Sequence, residues 1–218
     1  MSRRILLICG SLQARSANRA ALDVARSALE STGADVEEFT DLEMVPAFNP
    51  DAGDEGRSMG NLRRRRDDAP THSEAVVRLR EQIAGSDAVM IAAPEYAGAL
   101  AGAVKNALDW IVGSGELYSK PAAVISAGTS GGEFARQQLI QTLTWQGAHV
   151  VADVGIVAPR TKSDADGRYT DEATLAAIRD LAAVLIAAPG MAAGDRLTLV
   201  RTVLSAAGVG LDHIAPVA

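Results

Sequence analysis

The sequence predicts an α/β fold, a doubly wound five-stranded parallel sheet in the order 2-1-3-4-5 with helices on both faces. Three observations predict it. Short apolar runs alternate with longer helical patterns five times along the 218 residues. Most of those runs are apolar throughout, as a strand buried on both faces requires. No internal repeat or low-complexity linker interrupts the alternation. Each parallel return needs a right-handed crossover, so this pattern lays helices above and below one sheet.

Residues 5–9 (ILLIC) form the first buried strand. Residues 17–31 follow as a helix. Leu22, Ala25, Ala28 and Leu29 recur at helical spacing, and Gly33 stands where a C-cap glycine belongs. Residues 34–40 (ADVEEFT) make a short, more polar second strand near an edge. Residues 41–71 have no clear period, are rich in Pro, Gly, Asp and Arg, and are too long for a plain connection. Residues 73–84 are amphipathic, with Val76, Val77, Leu79 and Ile83 facing inward and Arg80 and Glu81 outward. Strand three spans residues 87–94, followed by a helix over 100–112. Strand four spans 120–128, followed by a helix over 132–146. Strand five spans 148–159 with a break at Asp153, followed by a helix over 171–188. Residues 195–207 read as a short helix outside the core. The expected division is one domain over residues 1–188 and a C-terminal appendage over 189–218, packed on the same domain.

Composition narrows the function classes. Hydrophobic residues make up 48% of the chain and charged residues 22%, as in soluble globular proteins. A formal net charge of -6 argues against duplex DNA or an anionic membrane as partner, because such binding rests on uncompensated Lys and Arg. Cys9 is the single cysteine, so there is no intrachain disulfide and no cysteine-based zinc site. His72, His149 and His213 are scattered without metal-ligand spacing. The first apolar run is too short for a signal-peptide core, and the expected location is the cytoplasm.

The chemistry points to three loops. Those leaving strands one, three and four read GSLQARSANR, PEYAGALAG and SAGTSGGEF. In the 2-1-3-4-5 order these strands are neighbours, so their exits converge at the crevice where such sheets bind ligands. Each loop is rich in small residues and runs into a helix N-terminus, a ready anion site. The first loop adds the hydroxyls of Ser11 and Ser16, the Asn18 amide and the Arg15 guanidinium. A charged hydrogen bond to a phosphate contributes roughly 1.5–3 kcal/mol. Helix capping alone would need one such residue. The loop matches neither the G-x-G-x-x-G fingerprint nor the P-loop.

GSLQARSANRA together with PEYAGALAGAVKNALDW resembles the NADPH-dependent FMN reductase family, with Pro94, Glu95, Tyr96, Gly98, Lys105, Asn106, Asp109 and Trp110 in register. The resemblance spans about residues 3–188 and implies a flavodoxin-like fold. It further implies that Ser11, Ser16 and Asn18 hold the FMN phosphate. Pro94, Glu95, Tyr96, Ala97 and Gly98 would then border the isoalloxazine, chiefly through backbone groups. Ser126, Gly128, Thr129 and Gly131 would approach its other side. This chain departs from the family at Gln13, where Arg is common and Arg15 is the replacement, and at Ala97, Ala99 and Ala101, where Asn, Ser and Pro are common.

The implied activity is transfer of hydride from NADPH (or NADH) to FMN and on to free flavin, a quinone, an azo compound or an oxyanion. The cofactor does the electron chemistry, in keeping with the lack of a His-Asp or paired-carboxylate constellation. No catalytic side chain is assigned, and Tyr96 is expected to shape the stacking surface. A homodimer or homotetramer is implied by resemblance alone. The alternatives are a non-enzymatic flavodoxin-like electron carrier or flavin sensor, and an α/β enzyme such as a hydrolase, for which the G-x-S-x-G elbow is missing.

Other conspicuous residues have simpler expected roles. Cys9 reads as a small core residue. Trp110 and Trp145 read as core or interface anchors, and Lys105 with Asp109 as a surface pair at helical spacing. The run Arg63–Arg66 reads as a solvated segment, with attraction of NADPH phosphates as the sharper alternative. Residues 46–51 (PAFNPD) are placed at the pocket frame or against a partner subunit.

Overall fold

The structure, a computed structural model, describes residues 2–51 and 73–217. Most of the aperiodic stretch, with Arg63–Arg66 and His72, lies outside the described residues. In chain order the elements begin β1 (Arg4–Cys9), α1 (Ala17–Glu30), β2 (Asp35–Phe39), α2 (Glu74–Gly85) and β3 (Ala88–Ala92). They continue with β4 (Glu95–Tyr96), β5 (Ala99–Leu100), α3 (Gly102–Asp109), β6 (Pro121–Gly128) and α4 (Glu133–Trp145). The chain closes with β7 (His149–Val157), α5 (Glu172–Ala187) and α6 (Ala193–Ala206). The main sheet runs β2-β1-β3-β6-β7 with every neighbouring pair parallel, which is the expected 2-1-3-4-5 order.

The all-apolar strands lie at the centre of the sheet. β3 is buried along its whole length, and β1 from Ile5 onward. β2 alternates exposed and part-buried residues because it pairs on one side only. Helices α1 and α5 pack against each other on one face. Right-handed crossovers put α2, α3 and α4 on the other. Helix α5 with its short 3₁₀ extension, Glu172–Gly190, is long and apolar enough to cross a bilayer by composition, yet here it lies against α1, β6 and β7. Helix α6 lies against β7 and buries Val200, Val203 and Leu204.

Several details differ from the sequence reading. The helix expected from residue 100 starts at Gly102, because Glu95–Leu100 is spent on a small hairpin, β4 with β5. In α2 the inward position is taken by Ala75, and Val77 is 39% exposed. β7 runs unbroken through Asp153, which pairs with Val124. Its irregularity comes earlier, where partners jump from Val150 to Ala152 and Val151 is bulged. Trp145 is 64% exposed and stacks on His213 with ring centroids 4.1 Å apart. It is therefore no core anchor.

Other elements match the expectation. Trp110 is buried, packs edge-on against Phe48, and donates its indole N–H to Pro46 O at 2.8 Å. Asn106 accepts from Phe48 N at 2.8 Å and donates to Pro46 O at 2.8 Å. The two motif residues on α3 thus fasten residues 45–48, which gives the KNALDW pattern a structural purpose. Lys105 and Asp109 form a surface ion pair at 2.6 Å. Cys9 is a buried core residue, and burial pushes its thiol pKa up.

One buried polar residue ties the C-terminal segment to the sheet. His149 opens β7, is fully buried, and its Nε2 lies 2.7 Å from Ala215 O. That contact requires a protonated Nε2, so the ring is the Nε2–H tautomer. Nδ1 has no partner among the described residues, and burial lowers the ring pKa below its ordinary value, with Arg196 adding to the effect. The folded state therefore favours neutral imidazole, and unfolding takes up a proton below about pH 6.5. The stability this residue supports is present above that pH and is lost as pH falls toward the lowered folded value. Urea unfolding between pH 7.5 and 5 should show a falling midpoint, and His149→Gln should flatten that fall.

Candidate flavin-binding rim

β1, β3 and β6 are adjacent and parallel, so their three C-terminal loops leave the sheet along one edge. Loop one, residues 10–16, starts where Gly10 N donates to Ala92 O at 2.7 Å. A Cβ on Gly10 would come within 2.3 Å of the Val104 side chain, so only glycine lets β1 turn here. Ser11 and Ser16 are buried. The Ser16 hydroxyl caps α1 by accepting from Asn18 N at 3.2 Å, and Ser11 Oγ accepts from Gln13 N at 3.4 Å. The N–H groups of Ala14, Arg15, Ser16 and Ala17 meet no acceptor among the described residues. A row of free donors at the positive end of a 14-residue helix is the arrangement that binds phosphate groups.

The loops are fastened to one another by buried hydrogen bonds. Asn18, 3% exposed, accepts from Ala127 N at 2.9 Å and donates to Ala127 O at 3.2 Å. Both ends of its amide therefore grip the main chain of β6. The sequence reading placed this side chain on the phosphate, and the structure gives it first to the scaffold. Ser126 likewise sits beneath the rim, fully buried, with its hydroxyl donated to Ala93 O at 2.6 Å. Gly132 packs directly over it, and a Cβ there would lie 1.9 Å from Ser126 Oγ.

Glu95 links the second loop to the third. Its Oε2 accepts from Phe134 N at 2.9 Å and from Ala135 N at 3.2 Å, and Ser130 donates to Oε1 at 3.4 Å. The carboxylate is thus the missing cap of α4, whose own N-cap residue, Gly132, has no side chain to offer. This corrects one expectation. The N-terminus of α4 is already filled by a protein anion, which leaves α1, with its row of free loop-one donors, and α3, which has no side-chain cap, as the helix starts at the rim open to a ligand's charge.

Between Tyr96 and Ala99 the chain reverses through Ala97 at φ 52° and Gly98 at φ 71°. Two successive left-handed residues joining antiparallel strands form a type I′ turn, which favours Asn-Gly. Ala97 is strained there by about 1 kcal/mol. Neither turn N–H has an acceptor among the described residues, and Tyr96 is 57% exposed beside them. Gln138 on α4 holds the hairpin from below by accepting from Leu100 N at 2.9 Å. Pro94 is buried at the hairpin's root, while Gly128, Thr129 and Gly131 frame the third loop.

Residues 3–162 match the sequence profile of the NADPH-dependent FMN reductases. The chain belongs to this family. An NAD(P)H-dependent FMN reductase of Pseudomonas aeruginosa is 35% identical over 175 residues, which cover 78% of this chain and 85% of that protein. An NAD(P)H:quinone oxidoreductase of Solanum tuberosum is 30% identical over 193 residues, covering 85% and 90% respectively. Among solved structures, the flavoenzyme NAD(P)H:(acceptor) oxidoreductase FerB of Paracoccus denitrificans superposes with a TM-score of 0.63 at 27% identity, over 84% of this chain and 95% of that one. A flavodoxin of Bacillus cereus, at 16% identity and a TM-score of 0.53, shares the fold.

The rim of this FMN reductase-family chain fits FMN on its own geometry. Loop one has unpaired donors for a dianion, and the second and third loops offer small residues around an exposed tyrosine. The Glu95 cap could not be read from sequence, because its partners lie 39 and 40 residues away. Tyr169 was also missed. It is buried and donates its hydroxyl to Ala17 O at 3.1 Å, bringing the segment after β7 against the first turn of α1.

Two substitutions test this geometry. Asn18→Ala leaves two buried main-chain groups of Ala127 unpaired and should cost about 2–4 kcal/mol in urea unfolding. Ala97→Asn removes left-handed strain and should raise the melting temperature by about 2–4 °C, read by differential scanning calorimetry.

Proposed function

We propose that this protein is an NAD(P)H-dependent FMN oxidoreductase, taking hydride from NADPH or NADH and passing electrons to a small-molecule acceptor. The observation that carries this reading is the row of free N–H groups at the start of α1, set beside an exposed tyrosine turn on the same rim. Ser11, Arg15, Ser16 and the loop-one amides would hold the phosphate. Ala97 and Gly98 offer two further donors for the polar edge of a ring, and Tyr96 offers an aromatic face. Bound FMN supplies the hydride-accepting and electron-donating chemistry, so the protein's tasks are binding, orientation and exclusion of competing reactions. The named activities of the relatives from Pseudomonas and Solanum support a flavin or quinone acceptor.

Tyr96 and Phe134 expose apolar surface beside the rim, since Phe134 N is bound to Glu95. They support a homodimer or homotetramer in which a second copy covers this edge.

The test is colour and turnover. The protein should become yellow with FMN, oxidise NADPH slowly alone, and oxidise it at least tenfold faster with added quinone. A yellow protein inert to both NADPH and NADH would instead be an electron carrier, and one that takes up no FMN contradicts the reading. Ser16→Ala should weaken FMN binding by about tenfold in a fluorescence titration, the loss of one hydrogen bond to a charged group.

A further inference from the structure

A polar concavity lies between the outer side of loop one and the segment that follows β7. It encloses about 610 Å³. One wall is Gln13, Arg15 and Ser16 with the outer side of α1, and the other is residues 159–168. That second wall had no functional reading from sequence. It is fixed against the first by the Tyr169–Ala17 hydrogen bond.

The charges in this groove are not equivalent. Arg19 is bound to Glu38, and Arg168 lies 3.8 Å from Asp166. Asp164 turns Oδ1 back onto its own loop, accepting from Asp166 N at 3.0 Å and Arg168 N at 2.9 Å. Asp23, at the far end, faces Arg19 and Arg26, and burial raises its carboxyl pKa. Arg15 and Arg160 remain, one on each wall, and neither has an ion-pair partner among the described residues. Two unpaired guanidinium groups facing a groove that abuts free helix N–H groups make a site for a compact dianion.

We propose that this groove is a phosphomonoester site and that Arg160 is its specificity-determining cation, acting with Arg15 across the gap. The inference rests on the FMN oxidoreductase reading and deepens it. Two ligands of that activity carry a phosphomonoester, FMN at its ribityl end and NADPH at its 2′ position. Riboflavin and NADH are the same molecules without it.

The experiment compares wild type, Arg160→Ala and Arg160→Lys. Arg160 is exposed on a short 3₁₀ turn, so its truncation should leave the fold and riboflavin binding intact. Fluorescence titration gives the FMN-to-riboflavin affinity ratio, and steady-state kinetics with quinone gives the NADPH-to-NADH ratio of kcat/KM. In Arg160→Ala one of these ratios should fall by about tenfold, less at 0.5 M salt, and Arg160→Lys should restore part of it. A fall in the flavin ratio assigns the site to FMN, and a fall in the dinucleotide ratio assigns it to NADPH. Unchanged ratios, or an equal loss for the phosphate-free ligands, overturn the proposal. Wild type that binds neither flavin overturns the reading beneath it instead.

Discussion

One buried amide holds this rim together. Asn18, on the first turn of α1, closes two hydrogen bonds with the main chain of Ala127, 109 residues away. Parallel pairing sets β1, β3 and β6 side by side, but it does not specify how their loops meet. The Asn18 clamp does so for the first and third loops, and the Glu95 carboxylate does so for the second and third. Ser126 locks the end of β6 to the residue that follows β3. A ligand site built on loops alone would be mobile. Here each loop is bonded to the next beneath the surface, so donors at the surface are held in place before a ligand arrives.

The same clamps decide where negative charge can go. Three helices begin at the rim, and α4 already holds a carboxylate. Of the other two, α1 sets its unpaired first amides beside the cationic groove. A chain of formal charge -6 therefore concentrates local positive potential at the end of the site where phosphates belong. The ring end is different in character, with an exposed tyrosine, a strained two-residue turn and backbone donors. A flavin mononucleotide has this polarity, with a dianionic tail and a flat, largely apolar head.

Much of this was legible in the amino-acid sequence. The buried strands announce themselves because parallel central strands leave no polar alternation, and the helix starts follow from Ser16, Ser73 and Asp171, each of which caps by its side chain. The turn at Ala97–Gly98 was obscured because alanine stands where asparagine would signal it. Val77 was misplaced because two adjacent valines fit a helical stripe equally well, and only packing chooses between them. The bulge at Val151 follows no local pattern. Nor do the side-chain roles of Asn18, Glu95 and Ser126, since each depends on main-chain groups from another part of the chain. Sequence types identified these residues as important, and the structure shows that their first duty is to the scaffold.

The central claim is that main-chain donors of loop one and of the Ala97–Gly98 turn hold FMN. Hydrogen–deuterium exchange with and without FMN tests it at the atoms concerned. The account predicts slowed exchange at the amides of residues 14–17 and 97–98, with the Asn18 and Ala127 region slow in both states. Protection confined to other parts of the molecule, while FMN demonstrably binds, would contradict it.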